Sequence, residues 1–135
     1  MAGQVRIGSQ ADAIFLQAVV KEMGGIDIVL DDGSHQMAHI TDSLRVLFPQ
    51  LNHGGIYLIE DLHTAYWRSF GGGYRTPHNF FHWLRRVVDD MHHWYHGEGL
   101  KESLVSQDCS AIHIHDSIVV LEKEKTYPPT HSQVA

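Results

Sequence analysis

Two acidic pairs carry the chemistry most plainly: Asp31-Asp32 and Glu60-Asp61, about 30 residues apart, each directly follow an apolar run. Carboxylates are hard oxygen donors, and two or three converging on one point suit Mg²⁺ or a similar divalent ion, with water completing the shell. Asp32, Glu60 and Asp61 are the expected ligands. A single acid at a strand end often does no more than cap a helix or face solvent, but two pairs on consecutive strands favour a metal. His35 follows Asp32 by three residues. An imidazole that titrates near neutrality, beside a metal that acidifies a bound hydroxyl, is suited to act as general base. His63, Tyr66 and Trp67 come just after the second pair and are expected to line an acceptor pocket, although His63 could equally serve its own loop and the aromatics could simply pack.

These residues need elements to position them. Ile26 to Leu30 is an almost continuous apolar run, as expected for a parallel strand covered on both faces, and it stops at Asp31. Ile40, Leu44, Leu47 and Phe48 fit one helical face between His39 and Phe48, with Pro49 and Gly54-Gly55 closing it. Ile56 to Ile59 is the next strand. A strand, helix, strand unit of this length suits one right-handed parallel crossover, so both acidic pairs emerge at the same carboxyl edge, where open α/β sheets bind ligands.

Around this unit, Val5-Arg6-Ile7 reads as a short strand. Gly8 ends it before a helix with Ile14, Phe15, Ala18, Val19 and Met23 at helical spacing, stopped by Gly24-Gly25. Ser9-Gln10-Ala11-Asp12 reads either as a capping box or as a turn meeting a nucleoside-like cofactor. After Gly71-Gly72-Gly73 comes an amphipathic helix with Phe80, Leu84, Val87, Val88, Met91 and Tyr95 on one face. Ala111 to His115 and Ser117 to Glu122, parted at Asp116, form a closing antiparallel pair. The reading is one α/β domain over residues 1–125 and a disordered tail over 126–135, which holds Pro128-Pro129.

Bulk properties narrow the function. The formal charge is −6, from 16 acidic and 10 basic residues, and no Lys/Arg-rich run follows a phosphate backbone, so nucleic acid is not an expected partner. No apolar run approaches the roughly 20 residues of a membrane span, and the first ten residues lack a signal-peptide pattern, so a cytoplasmic chain with no membrane partner is expected. The single cysteine, Cys109, has no intramolecular disulfide partner and reads as structural. The twelve histidines are scattered and form no tag.

Asp31-Asp32-Gly33-Ser34-His35, then Gly54-Gly55-Ile56-Tyr57-Leu58-Ile59-Glu60-Asp61 and His63-Thr64-Ala65-Tyr66-Trp67, resemble the metal-dependent O-methyltransferases of macrolide sugars, the mycinamicin type, and their cephalosporin-hydroxylase-like relatives. The likeness covers roughly Val5 to Lys123. It implies a Rossmann-like class I methyltransferase sheet with a C-terminal antiparallel hairpin, S-adenosylmethionine as donor and a sugar or other small-molecule hydroxyl as acceptor. It implies metal ligation by Asp32, Glu60 and Asp61, base chemistry by His35, and donor contacts from Gly8, Ser9, Gln10 and Asp31.

The sequence departs from that family at its start. The ten residues before Ala11 supply one strand, which matches the third of the family's sheet, so the first two strands and their glycine-rich turn are missing from this sequence. The expectation is an N-terminally truncated catalytic domain with an incomplete donor site. The Ile26 strand would then have an open apolar edge. Either the Val5 strand fills it or copies associate across it as a homo-oligomer. The alternative to a methyltransferase is a non-catalytic fragment or metal-binding oligomer. A phosphoacceptor receiver domain is a third reading of Ile26 to Asp32, but no suitably placed lysine follows Asp61.

Overall fold

A computed structural model describes residues 4–98 and 104–134. Its centre is a four-stranded sheet of β1 (Ile26–Asp31), β2 (Leu51–Ile59), β3 (Cys109–His115) and β4 (Ile118–Lys123) in the order β1-β2-β4-β3. β1 and β2 run parallel, joined through the helix α2 (Met37–Leu47), while β4 pairs antiparallel with both β2 and β3. A parallel pair closed by an antiparallel hairpin is the arrangement expected from the sequence.

The helix α1 (Ala13–Met23) starts where Asp12 accepts hydrogen bonds from the amides of Ile14 and Phe15, and it ends on Gly24 at φ 81°. Asp12 is therefore the cap itself. Ser9, expected to open a capping box, lies one turn earlier and accepts from the Ala11 amide. Val5-Arg6-Ile7 is not a strand: Val5 is 74% and Ile7 95% exposed, and neither fills the edge of β1. A three-residue β-prone segment has no ladder to hold it without an adjacent strand, and Arg6 instead pairs with Glu22 of α1.

Two further expectations change. β2 begins at Leu51, not Ile56, because Leu51 pairs with Ile26 and a register shift between Ile26 and Ile28 accommodates the extra residues, beside which the Asn52 side chain bonds Asp27 (2.9 Å). Gly55 has room there for no side chain, since a Cβ would sit 2.5 Å from the Asp27 carbonyl oxygen. β1 is also not covered on both faces. α2 and α3 (Phe80–Met91) bury Tyr57, Ile59, Val119 and Leu121 on one face, with Ile40, Leu44, Phe48, Phe80, Leu84 and Val87 completing the core. The opposite face carries Ile28 (68% exposed), Leu30 (58% exposed) and the half-buried Ile56, Leu58, Ile118 and Val120. Each fully buried side chain of the covered face contributes about 1.5–3 kcal/mol, so that face holds the sheet together.

α3 breaks at His92 before the short α4 (His93–His96), leaving Tyr95 exposed where it was expected on the apolar face. Beyond Lys123 the described residues form neither helix nor strand, although Thr126 bonds the Gln107 carbonyl through its amide and hydroxyl. Among the described residues no helix is long and apolar enough to cross a membrane.

Candidate metal and acceptor site

Parallel pairing of β1 with β2 sets Asp31 beside Ile59, and the Glu60 amide continues the ladder to the Asp31 carbonyl at 3.0 Å. The residues that follow each strand therefore leave the sheet side by side. His35 and Asp61 both turn through the left-handed region, at φ 58° and 56°. For non-glycine residues that conformation costs on the order of 1 kcal/mol each, and the surrounding contacts must hold it. Thr64, buried in the loop after β2, does so for both: its hydroxyl donates to the Asp61 carbonyl (2.8 Å) and lies 3.4 Å from that of His35.

The two turns bring three side chains together. His35 Nε2 stands 3.7 Å from Asp32 Oδ1 and 3.6 Å from Asp61 Oδ2. One ligand atom from each of Asp32, His35 and Asp61 lies within 4.8 Å of the others. Both carboxylates are about half exposed and His35 is mostly enclosed. Two negative groups facing one imidazole leave an excess of negative charge at neutral pH, which a divalent cation would balance. The oxygen-rich donor set and open solvent side fit Mg²⁺ with coordinated water. Glu60 is half-buried one residue earlier, and its carboxylate is not among the converging atoms.

Asp31 goes the other way. As the last residue of β1 its carboxylate, only 8% exposed, turns toward α2, accepting from Ser43 Oγ (2.8 Å), Tyr57 Oη (3.3 Å) and Gln10 Nε2 (3.1 Å). Burial, reinforced by this carboxylate, pushes the Tyr57 phenol far above its ordinary range. A cavity of about 270 Å³ adjoins the cluster, lined by Gln10, Leu16, Val29, Asp31 and Tyr57 among others. Of the expected donor residues, Gln10 and Asp31 meet there. Gly8 instead packs against Phe15, and Ser9 serves the turn before α1.

On the far side of Asp61, His63 Nδ1 bonds Ser117 Oγ (2.7 Å) and its ring meets Trp67 edge-on at 4.9 Å. Tyr66 stacks on Phe81 with centroids 5.9 Å apart. Leu62, His63, Tyr66, Phe81, Ile114 and Ser117 line a cavity of about 490 Å³ between this loop and the β3–β4 hairpin. Trp67 stands at its border through His63, and both Tyr66 and Trp67 are half exposed. The contributions of Thr64, Ser43, Tyr57, Phe81 and Ser117 were not anticipated. Thr64 and Tyr57 had a signal, lying inside the His63 to Trp67 and Gly54 to Asp61 motifs.

No family model matches the chain. It is 37% identical over 123 residues to 8-demethyl-8-alpha-L-rhamnosyl tetracenomycin-C 2'-O-methyltransferase of Streptomyces olivaceus, covering 87% of this chain and 32% of that protein. It is 35% identical over 121 residues to mycinamicin VI 2''-O-methyltransferase of Micromonospora griseorubida, covering 86% and 30%. Among solved structures, the MycE methyltransferase of the mycinamycin biosynthetic pathway, in complex with Mg and SAH, superposes with a TM-score of 0.82 at 33% identity, over 90% of this chain and 33% of that one. The same enzyme has been solved with Mg, SAH and mycinamycin VI, and matches with a TM-score of 0.80. The chain spans about a third of the length of these relatives.

Proposed function

We propose that this chain, a homologue of the sugar O-methyltransferases over about a third of their length, is the metal-and-acceptor part of a metal-dependent O-methyltransferase acting on a sugar or other small-molecule hydroxyl. The observation that carries the proposal is the convergence of Asp32, His35 and Asp61 at the carboxyl edge of two parallel strands. Asp32 and Asp61 hold the divalent ion, and Glu60 is the third carboxylate at that edge. A bound Mg²⁺ supplies Lewis acidity toward the acceptor hydroxyl, and S-adenosylmethionine supplies the methyl group.

His35 Nε2 takes the hydroxyl proton as the oxygen attacks the methyl carbon, so that an ether forms, the sulfonium–methyl bond breaks and a thioether leaves. His63, Tyr66 and Trp67 receive the acceptor in the cavity beside Asp61, where a half-exposed aromatic wall suits the apolar face of a sugar ring. Gly8, Ser9, Gln10 and Asp31 lie on the donor side. This reading places the chain in the cytoplasm, as for a small-molecule biosynthetic enzyme.

A second reading has its own support: β1 is an edge strand that exposes Ile28 and Leu30, as a unit that binds metal and associates through that edge into a homo-oligomer would. Isothermal titration of the chain with Mg²⁺ and with S-adenosylmethionine separates the two. Binding of both supports the methyltransferase reading, and Mg²⁺ without the donor supports the second. An absence of Mg²⁺ binding rejects both.

A further inference from the structure

We propose that Gln10 is a positioning residue for the metal loop, its carboxamide clamping the backbone on both sides of Asp32. The inference rests on the metal site proposed above and adds to it a residue that touches neither metal nor acceptor. Gln10 Oε1 accepts from the Ser34 amide at 2.5 Å, two residues after Asp32 and one before His35. Its Nε2 donates to Asp31 Oδ1 at 3.1 Å and lies 3.4 Å from both Asp31 Oδ2 and Ser43 Oγ. One side chain thus holds the residue before Asp32 and the second residue after it. Its oxygen and nitrogen both have partners inside the protein, a use different from contact with a donor molecule.

Gly33 shows how closely the clamp fits. Its φ is not in the left-handed region, so backbone freedom does not explain a glycine there. A Cβ at position 33 would sit 2.0 Å from Gln10 Oε1 and 2.7 Å from its carboxamide carbon. The bare α-carbon is what lets the carboxamide lie across the loop. Gln10 is itself held in a tight turn, closed by the Asp12 amide on the Ser9 carbonyl (3.1 Å), immediately before the Asp12 cap of α1. α1 therefore anchors the clamp from outside the sheet. Without it, the turn from Asp32 to His35 loses its tie to the Asp31 end of β1 and keeps the Ser34 hydroxyl on His39 Nδ1 (2.8 Å) and the Thr64 contact at its far end. The loop would then have to be ordered as the metal binds, and affinity would fall.

The test is a Mn²⁺ titration of the full chain followed by electron paramagnetic resonance, with thermal melts in parallel, on the wild type, Gln10→Met and Gly33→Ala. Methionine keeps the length of the side chain and removes both hydrogen bonds, whereas alanine at 33 evicts the carboxamide with Gln10 intact. Both variants should bind Mn²⁺ about 3- to 10-fold more weakly, the loss expected for one hydrogen bond. Melting temperatures that fall while Mn²⁺ affinity stays at the wild-type value would reduce Gln10 to a structural contact and overturn the proposal. A wild type that binds no Mn²⁺ rejects the metal site itself, a separate failure. Independently of the variants, the Ser34 amide of the wild type should exchange with deuterium at least tenfold more slowly than an unprotected amide, and unprotected exchange also overturns the clamp.

Discussion

Replacing Ser43 with alanine probes how the buried Asp31 carboxylate is held, and with it the end of β1 from which the metal loop departs. Ser43 is 2% exposed on the inner side of α2, and its 2.8 Å bond to Asp31 Oδ2 is the shortest that the carboxylate accepts. Hydrogen bonds to a charged acceptor contribute about 1.5–3 kcal/mol. Alanine leaves no appreciable cavity and is the better helix former by roughly 0.5 kcal/mol, so the net loss should be about 1–2.5 kcal/mol. With a urea m-value of about 2 kcal/mol/M for a domain of this size, the unfolding midpoint should fall by roughly 0.5–1.2 M. Urea titration followed by far-UV circular dichroism reads this directly. Tyr57→Phe supplies the second arm, because Tyr57 Oη bonds both Asp31 (3.3 Å) and Ser43 (3.2 Å). The double mutant should show a coupling of about 0.5 kcal/mol or more. A Ser43→Ala midpoint equal to that of the wild type, together with additive single effects, would refute the network.

Burial pushes the Cys109 thiol up to about 12 from an ordinary value near 9. Its folded-state value lies above the unfolded one, so the stabilisation is complete below about pH 9 and is lost as the pH rises toward 12. Tyr57, also shifted upward, adds in the same direction above pH 10. Urea midpoints should decline from pH 9 upward, and Cys109 should resist an aromatic disulfide reagent at pH 8 until the protein unfolds; rapid labelling of the folded chain contradicts its burial. The exposed apolar edge of β1 predicts self-association that Leu30→Lys weakens, measured by light scattering after size exclusion, and a wild type that stays monomeric at high concentration argues against it.

Elements whose apolar spacing is long and regular were legible from sequence: α2, the core of β1, the start of α3 and the closing hairpin. β2 was cut short because Asn52-His53-Gly54-Gly55 has the composition of a turn, and only the ladder with β1, which pairs Leu51 with Ile26, makes it strand. Val5-Arg6-Ile7 has β propensity without a neighbour, and propensity alone does not form a ladder. The continuous apolar run from Ile26 to Leu30 suggested two covered faces, yet a run of this kind records the environment a strand suits, not the environment this chain supplies. At the site, Asp32, His35 and Asp61 could be read because they follow strands on one sheet edge. The direction of Asp31 could not, since it depends on Ser43 and Tyr57, which only the tertiary register brings beside it. Gly33 stood out only as a member of the Asp31 to His35 motif, and its role in admitting Gln10 depends on a contact 23 residues away in sequence.

The central claim is that the two strand-end acids form a divalent metal site. Anomalous difference diffraction from crystals of the chain soaked in Mn²⁺ tests it most directly. The account predicts a single strong peak within coordination distance of the Asp32 and Asp61 carboxylates, beside His35, that disappears in Asp61→Asn. A peak elsewhere with that cleft empty, or a peak that survives the substitution unchanged, would contradict it.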